Sequence, residues 1–438
     1  MSGFDDSDFV RLLEIIDQTE KERQSETAGN FPKSTSIDGY GDYSGNYDRV
    51  VSGLIFAGGN DDGDDINDGP NLIYGNVYIE DGIIREIEER RGSSMKSLNW
   101  IVPRFVNAHT HIGDTLIKDP PLGPDVTPYA YKRDLDSLVR PPNGLKHQFL
   151  SALTQEDAVS SMESAIWDMY QSGISVFADF REGGLNGVSA LIEASKNASR
   201  DIHPVIFGRP TFPQSYAENG GSSSSDILTS HSFLDELRDL LETSDGIGVS
   251  GANDLDEYVL AKIAAKTQSK RRKLAIHAGE KDRSDIESAL SLDPDLLIHM
   301  THAENEDIKT AADNRIPIAV CVRSNLVTGV GLPPILNMLE AGIPVCIGTD
   351  NVMLNSPDMF EELHFLSKIY GISDAALFRM ANLNGAEALG CRFTGSIEIG
   401  KKADMMVLNA KSLNLKHVKN PLAGFVRRAG VSDILGLV

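Results

Sequence analysis

The stretch from Phe105 to His111, FVNAHTH, is an apolar run that ends in two histidines spaced two residues apart. In a β-strand, residues i and i+2 point to the same face, so the side chains of His109 and His111 would leave the backbone in one direction. Two imidazoles placed in this way can clamp a metal ion. The same pattern also suits a polar strand end with nothing between the rings, so the stretch alone leaves both interpretations open.

Seven further apolar runs have the same pattern as this one, and the eight runs together predict the fold. Each is short enough for a strand, ends in polar residues and precedes a segment long enough for a helix. Eight alternating units of this kind predict an α/β fold with a (β/α)8 TIM-type barrel over residues 103–390. An open doubly wound sheet is the alternative, but no G-x-G-x-x-G follows a predicted strand and there is no P-loop. The eight runs are FVNAHTH, ISVFADF, HPVIFGR, GIGVSG, KLAIHAGE, DLLIHMTH, PIAVCVRSN and IPVCIGTDN.

Both chain ends contain short alternating segments that are typical of a small sheet. VVSGLIFAGG and NLIYGNVYIEDGIIREIEE precede the barrel, and SIEIGKKADMMVL and VSDILGLV follow it. Glu80-Asp81-Gly82 predicts an acidic turn between two alternating segments. We therefore expect a small β-sandwich domain built from residues 46–102 and 391–438. Residues 1–45 include a Ser/Gly/Asp-rich stretch without sustained periodicity, and we expect an acidic, mobile N-terminal extension there.

The charge balance argues against several classes of partner. Asp plus Glu number 64 against 41 Lys plus Arg, a formal net charge of −23, which repels phosphate backbones and argues against nucleic acid. No stretch has 18 uninterrupted apolar residues and the first residues form no apolar signal core, so we expect neither a membrane span nor export. Cys321, Cys346 and Cys391 cannot form a complete set of disulfides, which suits a reducing cytoplasm.

Titratable residues collect at the C-terminal ends of the predicted strands, where barrel enzymes place their active sites. Three neutral imidazoles and one carboxylate can hold a zinc or iron ion and leave a position for water, which a hydrolytic site requires. One such residue alone is more often a hydrogen-bonded histidine or a helix N-cap. If each of these residues had only such a structural role, separate reasons would have to place all of them on the same rim of the predicted barrel. The set is His109, His111, His277, Glu280, His299, His302 and Asp350.

Three arginines follow other strands of the same predicted rim. Arg181, beside Glu182, follows the second strand, Arg209 follows the third and Arg323 the seventh. Each guanidinium can contact a substrate carboxylate, carbonyl or sugar, or can instead pair with one of the many acids. All three are candidate substrate contacts.

The motifs at the strand ends resemble the amidohydrolase superfamily, specifically its cytosine/adenosine-type deaminase and chlorohydrolase-like branch. The resemblance rests on NAHTH, IHAGE, IHMTHAENEDI and VRSNLVTGVGLPPILNMLEAGIPVCIGTDN, and it covers roughly residues 102–390. GSIEIGKKADMMVL is similar to the closing strands of that family. The resemblance implies the barrel fold and one divalent metal ion, zinc first and iron as the alternative.

The resemblance also implies a role for each strand-end residue. Glu280 would move protons, His299 would steady the attacking oxygen, and Asp350 would accept a proton in addition to binding the metal. His302 would be a neighbour with a structural or substrate-facing role. The fourth predicted strand, GIGVSGAND, has no lysine, which argues against a second metal bridged by a carbamylated lysine. The residues that would bind the metal are His109, His111, His277 and Asp350.

The function that the resemblance implies is a metal-dependent aminohydrolase. Such an enzyme releases ammonia from an amino-substituted heterocycle such as a purine, pyrimidine, pterin or nucleoside, and association into a homo-oligomer is the family expectation. Two alternatives stay open at this point. One is another cyclic C–N or C–Cl hydrolysis, such as opening an imidazolone-type ring or removing halide, and the other is a catalytically silent barrel that serves as a scaffold.

Overall fold

The larger of two sheets carries the eight runs that the sequence marks as strands. The structure, a computed structural model, describes residues 47–58, 69–90, 99–120, 132–140, 143–211 and 231–438. The extension predicted over residues 1–45 lies outside the described residues. The sheet is parallel, has nine strands and follows the order β12-β11-β10-β9-β8-β7-β6-β5-β13. Its strands are β5 Phe105–His111, β6 Ile174–Arg181, β7 His203–Gly208, β8 Gly246–Val249, β9 Lys273–Ala278, β10 Leu296–His299, β11 Ile318–Val320, β12 Val345–Ile347 and β13 Asp350–Asn351.

The two edge strands of this sheet are consecutive pieces of chain. β12 pairs with β11, whereas β13, only two residues further along, pairs with β5. The link passes close to the first strand, because the backbone N–H of Thr349 donates to the His109 carbonyl at 3.1 Å. A Cβ on Gly348 would lie 2.6 Å from the His109 Cβ, so this crossing requires glycine. The parallel sheet is therefore curled until its ends approach each other.

Helices lie between the strands of the larger sheet, as the alternating pattern predicts. Several start at side-chain caps: the Thr154 hydroxyl accepts from the Asp157 N–H, and the Asp256 and Asp358 carboxylates cap two later helices. Helices α1 to α14 are Leu135–Leu138, Leu145–Leu150, Gln155–Gln171, Gly184–Ala198, His231–Thr243, Glu257–Ser269, Ile286–Ser291, Asn305–Asp313, Val322–Thr328, Ile335–Glu340, Met359–Ile369, Asp374–Ala381, Leu383–Leu389 and Pro421–Arg427. Two 3-10 turns span Ile112–Ile117 and Val431–Asp433.

The smaller sheet is formed from both chain ends. Six strands follow the order β15-β14-β4-β1-β2-β3, and β2 and β3 form a hairpin over the predicted turn, where Asp81 and Gly82 have φ values of 51° and 71°. Among the described residues this part is a single sheet, so the sandwich and its boundaries stay predictions. No helix in the described ranges has the length and apolarity needed to cross a membrane. The remaining strands are β1 Arg49–Ala57, β2 Asn71–Glu80, β3 Ile83–Glu89, β4 Trp100–Pro103, β14 Met405–Leu408 and β15 Ile434–Leu437.

A cluster of buried aromatic rings joins the two sheets to the last helix. Phe425 on α14 lies 5.9 Å from Phe56 on β1 and 5.7 Å from Phe105 on β5, measured between ring centroids. Phe360 and Phe378 complete the cluster at 5.8 and 5.6 Å from Phe425. Burial of large aromatic side chains is the main stabilising term here. The cluster fixes the start of β5, and the other end of β5 carries the two histidines.

Candidate metal centre and active site

Five side chains from four different strands converge at the C-terminal ends of the strands. His109 and His111 leave β5 on the same side, with ring centroids 4.9 Å apart, and the ring of His277 from β9 lies 4.8 Å from that of His109. Potential ligand atoms of these three histidines all lie within 4.8 Å of one another. The same limit holds for His109, His299 and Asp350. These two groups contain five of the seven strand-end residues that the sequence nominates, all except Glu280 and His302.

The distances between these side chains have the scale of a metal site. His109 Nε2 lies 3.3 Å from an Asp350 carboxylate oxygen, and His111 Nε2 lies 3.7 Å from the same oxygen. Zinc holds nitrogen and oxygen ligands at about 2.0–2.1 Å in tetrahedral sites, which places neighbouring ligand atoms roughly 3.3–3.4 Å apart. All three side chains are almost fully buried. The separations of the carboxylate oxygen from the two ring nitrogens are therefore close to those that a single ion requires.

The outer nitrogens of two of the rings are fixed by backbone carbonyls. His111 Nδ1 lies 3.0 Å from the carbonyl of Phe180, and His277 Nδ1 lies 2.8 Å from that of Val249. With the proton on Nδ1, the Nε2 lone pair of each ring faces the centre, which is how proteins orient metal-binding histidines. Both nitrogens of His109 are buried and make no hydrogen bond within the described part of the chain. Buried ring nitrogens without a protein partner, beside three other potential ligand atoms, fit a metal ion bound at this point.

Burial keeps the clustered imidazoles in the neutral form that can bind a cation. It lowers the pKa of His111 to about 3 and places the pKa of His277 well below its usual value. Burial also acts to raise the pKa of Asp350, but the adjacent His109 and His299 outweigh it and hold that pKa well below the ordinary range. The centre therefore offers neutral rings and a carboxylate at neutral pH.

Backbone strain aims two of the strand-end side chains. His299 ends β10 with φ 72°, and Asp350 starts β13 with φ 62°, both in the left-handed region that residues other than glycine rarely adopt. Such conformations cost about 1–3 kcal/mol each and cluster at functional sites. The Asp350 carboxylate is held further by the hydroxyl of Ser324, which donates to it at 2.7 Å.

Glu280 lies at the entrance to this centre, just after β9. Its carboxylate is 3.5 Å from His299 Nε2. Burial, opposed by His299 and reinforced by the Asp350 carboxylate, raises the pKa of Glu280 to about 7. A carboxyl group with such a pKa can both give and take a proton at neutral pH.

The centre forms the floor of an open cavity of about 140 Å³. The floor residues that line it include His111, His277 and Asp350, and Glu280 and His299 stand beside them. The walls are polar and carry charges of both signs, among them Arg140, Lys146, Ser250, Asn253, Asp254 and Asp285. A concave site on which several polar groups converge is the usual place for a small-molecule ligand.

Comparison with known proteins agrees with the geometry of this site. The Amidohydrolase family profile matches residues 100–431. The chain belongs to the amidohydrolase family. A relative in Methanocaldococcus jannaschii, an uncharacterized protein, is 34% identical over 387 residues, which cover 83% of this chain and 93% of the relative.

A 5'-deoxyadenosine deaminase of Methanosarcina barkeri is 28% identical to this amidohydrolase over 398 residues, covering 83% of this chain and 86% of the relative. Among solved structures, an adenosine deaminase from Xanthomonas campestris with bound zinc aligns with a TM-score of 0.67 at 17% identity. The alignment covers 89% of this chain and 91% of that one. At this identity the likeness concerns the fold.

Of the four residues predicted to contact substrate in this amidohydrolase, one lines the cavity. Arg209 does so, and its Nε is buried without a hydrogen-bond partner in the described part of the structure. Arg181 and Arg323 are instead held by protein acceptors: Arg181 by Asp179 and Glu182, and Arg323 by two glutamates of α11 and two backbone carbonyls. Both guanidiniums are engaged by these acceptors and neither lines the cavity, so the described part of the chain does not place them as substrate contacts.

His302 is also outside the cavity lining. Its backbone N–H donates to the Gly279 carbonyl at 2.9 Å, and this bond ties the loop after β10 to the loop after β9. Its ring nitrogen Nε2 is buried and has no hydrogen-bond partner among the described residues. The structural role that the sequence left open is therefore the one that the geometry favours.

Two charged residues of the site carry no clear signal in the sequence. Lys146 on α2 lines the cavity, and its Nζ lies 2.6 Å from Glu182. Glu182 in turn lies 3.0 Å from His111 Nδ1. Glu182 is visible in the sequence only as the neighbour of Arg181, and Lys146 falls in the long proline-rich stretch between β5 and β6. Only the folded chain brings the two together.

Asp114 makes the stability of this amidohydrolase depend on pH. Burial, opposed by Lys146 and by the Asn351 amide 2.8 Å away, raises the pKa of Asp114 to about 7 from its ordinary 3.8. The folded chain therefore keeps a proton that the unfolded chain loses, and the free energy of unfolding falls as pH rises from about 4 to about 7. In Asp114→Asn that part of the slope, at most about 1.4 kcal/mol per pH unit, should disappear.

Urea unfolding of the metal-free wild type and of Asp114→Asn across this pH range measures the two slopes. The variant also changes the hydrogen bonds from Asn351 and from the Met353 N–H, so an offset at all pH values is expected. The test therefore compares how steeply the free energy of unfolding changes with pH in the two proteins. Parallel curves for the two proteins would contradict the assignment.

Proposed function

We propose that this chain is an aminohydrolase with one catalytic metal ion, which removes the amino group of a heterocycle as ammonia. The observation that carries the proposal is the convergence of buried donor atoms from His109, His111, His277 and Asp350, with Nδ1 of two of the rings fixed from behind. These four are the proposed metal ligands. Imidazole and carboxylate ligands suit zinc and also ferrous iron, and the zinc-bound structural relative favours zinc.

The proposal also completes the description of the fold. If β12 and β13 are taken as one strand interrupted at Gly348, the larger sheet has eight strands and its last strand pairs with its first. We infer a (β/α)8 barrel from this pairing. In such barrels the chemistry lies at the C-terminal ends of the strands, where the four proposed ligands lie.

A divalent ion held by these residues supplies the Lewis acidity that makes a hydroxide nucleophile available near neutral pH. Asp350 takes up the proton of the attacking water on its carboxylate, whose second oxygen is already fixed by Ser324. Glu280 delivers its proton to a ring nitrogen of the substrate, regains one from the hydroxyl of the tetrahedral carbon, and passes that proton to the departing amine as the C–N bond breaks. The proton taken up by Asp350 then returns Glu280 to its starting state. His299, 3.5 Å from Glu280, donates a hydrogen bond toward the developing negative charge.

The substrate class follows from the cavity and from the relatives together. The Methanosarcina barkeri relative is named a 5'-deoxyadenosine deaminase and the structural relative an adenosine deaminase. The cavity lining of this chain includes the hydroxyl of Ser250, the amide of Asn253 and the guanidinium of Arg209. Polar groups of this kind suit a ring that carries a hydroxylated or otherwise polar substituent. We therefore propose an adenosine-type purine as the first substrate to examine.

An ammonia-release assay tests the proposal. The zinc-loaded full chain is incubated with adenosine, 5'-deoxyadenosine, guanine, cytosine and pterin. Ammonia is measured by a coupled enzyme assay, and mass spectrometry shows whether the ring stays intact. We expect stoichiometric ammonia and a product in which oxygen replaces the amino group of an intact ring. A ring-opened acid, or no ammonia from any of these compounds, would contradict the proposal.

A further inference from the structure

Glu182 is the centre of a buried charge cluster that lies behind the proposed metal site. Its Oε1 lies 2.6 Å from Lys146 Nζ and 3.0 Å from His111 Nδ1, and its Oε2 accepts from Arg181 Nη2 at 2.6 Å. None of these four side chains is more than 8% exposed. One carboxylate therefore lies between two buried cations and a proposed metal ligand. A third cation, Arg209, is less buried, with its Nη1 3.9 Å from the same Oε1.

The cluster is packed directly against the chain segment that follows His111. The Asp179 carboxylate accepts the backbone N–H of Ile112 at 2.7 Å and lies 3.3 Å from Arg181 Nη1. A Cβ on Gly113 would lie 2.0 Å from Arg181 Nη2, so the backbone rests on the guanidinium. Because the segment and the guanidinium fit this closely, packing holds the Arg181 charge next to the proposed ligand.

The charge of Glu182 matters more than its hydrogen-bonding capacity. The carbonyl of Phe180 already fixes the proton on His111 Nδ1. Without the carboxylate, the ammonium of Lys146 and the guanidinium of Arg181 would be left short of negative charge beside an imidazole that has to bind a doubly charged ion. Removing one partner of a buried ion pair leaves such an uncompensated charge, and this is strongly unfavourable.

We propose that Glu182 is a positioning residue for the metal centre, which permits cation binding at His111 by neutralising Lys146 and Arg181. The inference rests on the metal site of the proposed function. The positioning role of Glu182 makes a prediction that a purely structural role of the same residue does not make. Loss of the carboxylate should weaken metal binding, and removal of the stranded ammonium should restore it.

Zinc affinity in a double-mutant cycle tests this inference. Zinc dissociation constants are measured by competition with a chromogenic chelator for the full-length wild type, Glu182→Gln, Lys146→Met and the double variant. Because outer contacts of metal ligands typically change metal affinity about 10–100-fold, Glu182→Gln is expected to bind zinc at least about 10-fold more weakly. Lys146→Met should bind within about threefold of the wild type, and the double variant should regain most of the lost affinity.

Asp404→Asn is the matched control, since Asp404 is a buried carboxylate 3.0 Å from Lys402 and lies next to β14, in the smaller sheet. It should lower the thermal unfolding temperature without changing zinc affinity. Wild-type affinity in Glu182→Gln, or losses that merely add in the double variant, would overturn the inference. If Glu182→Gln does not fold, the double variant decides alone: an affinity within about threefold of Lys146→Met supports the inference, and a weaker one contradicts it. A wild type that binds no zinc would instead refute the proposed function.

Discussion

Replacement of Glu280 by glutamine is expected to lower kcat/KM for ammonia release by about 10²–10⁴-fold, the usual contribution of a positioned general acid and base. Glutamine keeps the size of the side chain but cannot carry the proton. Glu280 is not one of the proposed ligands, so the zinc content should stay at about one ion per chain. The measurement is steady-state kinetics on the best substrate together with metal analysis of the same preparation.

The matched control is Glu287→Gln, which changes an exposed glutamate on α7, seven residues further along the chain. It should leave kcat/KM and zinc content unchanged. If Glu280→Gln kept wild-type turnover, proton delivery would have to come from another group and the proposed mechanism would be wrong. If the variant lost zinc as well, Glu280 would be acting on the metal site rather than on the substrate.

Replacement of His277 by alanine is expected to remove both the metal and the activity. His277 is the proposed ligand from β9, and its loss leaves two histidines and one carboxylate to hold the ion. Lewis acidity from a bound metal contributes several kcal/mol to the transition state, and about 4 kcal/mol corresponds to roughly 10³-fold in rate. Metal analysis after dialysis and the ammonia assay should therefore both fall close to background.

His203→Ala is the control for this substitution. His203 starts β7, at the opposite end of the strands from the site, and is exposed. This variant should keep its zinc and its activity. Full zinc occupancy in His277→Ala would contradict the assignment of His277 as a ligand, whatever happened to the rate.

Much of the fold could be predicted from the sequence because strands and helices alternate and polar residues mark the end of each strand. All eight predicted runs are strands of the parallel sheet, and the Asp81–Gly82 turn joins two strands as predicted. The interruption between β12 and β13 could not be predicted, because it depends on the close approach of Gly348 to His109. Sequence periodicity contains no information about such a contact between distant segments.

The residues of the candidate site could likewise be predicted only in part. The proposed ligands and Glu280 stand directly after apolar runs, so their place on the rim follows from the fold. The partners of Arg181 and Arg323 could not be predicted, because whether a rim arginine faces the cavity or an acid is decided by packing. The role of Lys146 could not be predicted for a related reason. Lys146 lies on a short helix in the long connection between β5 and β6, and the whole of α3 separates it in sequence from its partner Glu182.

A crystal structure of the zinc-loaded protein, with anomalous diffraction recorded on both sides of the zinc absorption edge, is the most direct test of the account. We expect one anomalous peak at about 2.0–2.2 Å from Nε2 of His109, His111 and His277 and from a carboxylate oxygen of Asp350, with one coordination position open toward Glu280. A peak elsewhere, or an ion whose coordination is completed by the protein alone, would contradict the proposed hydrolytic centre.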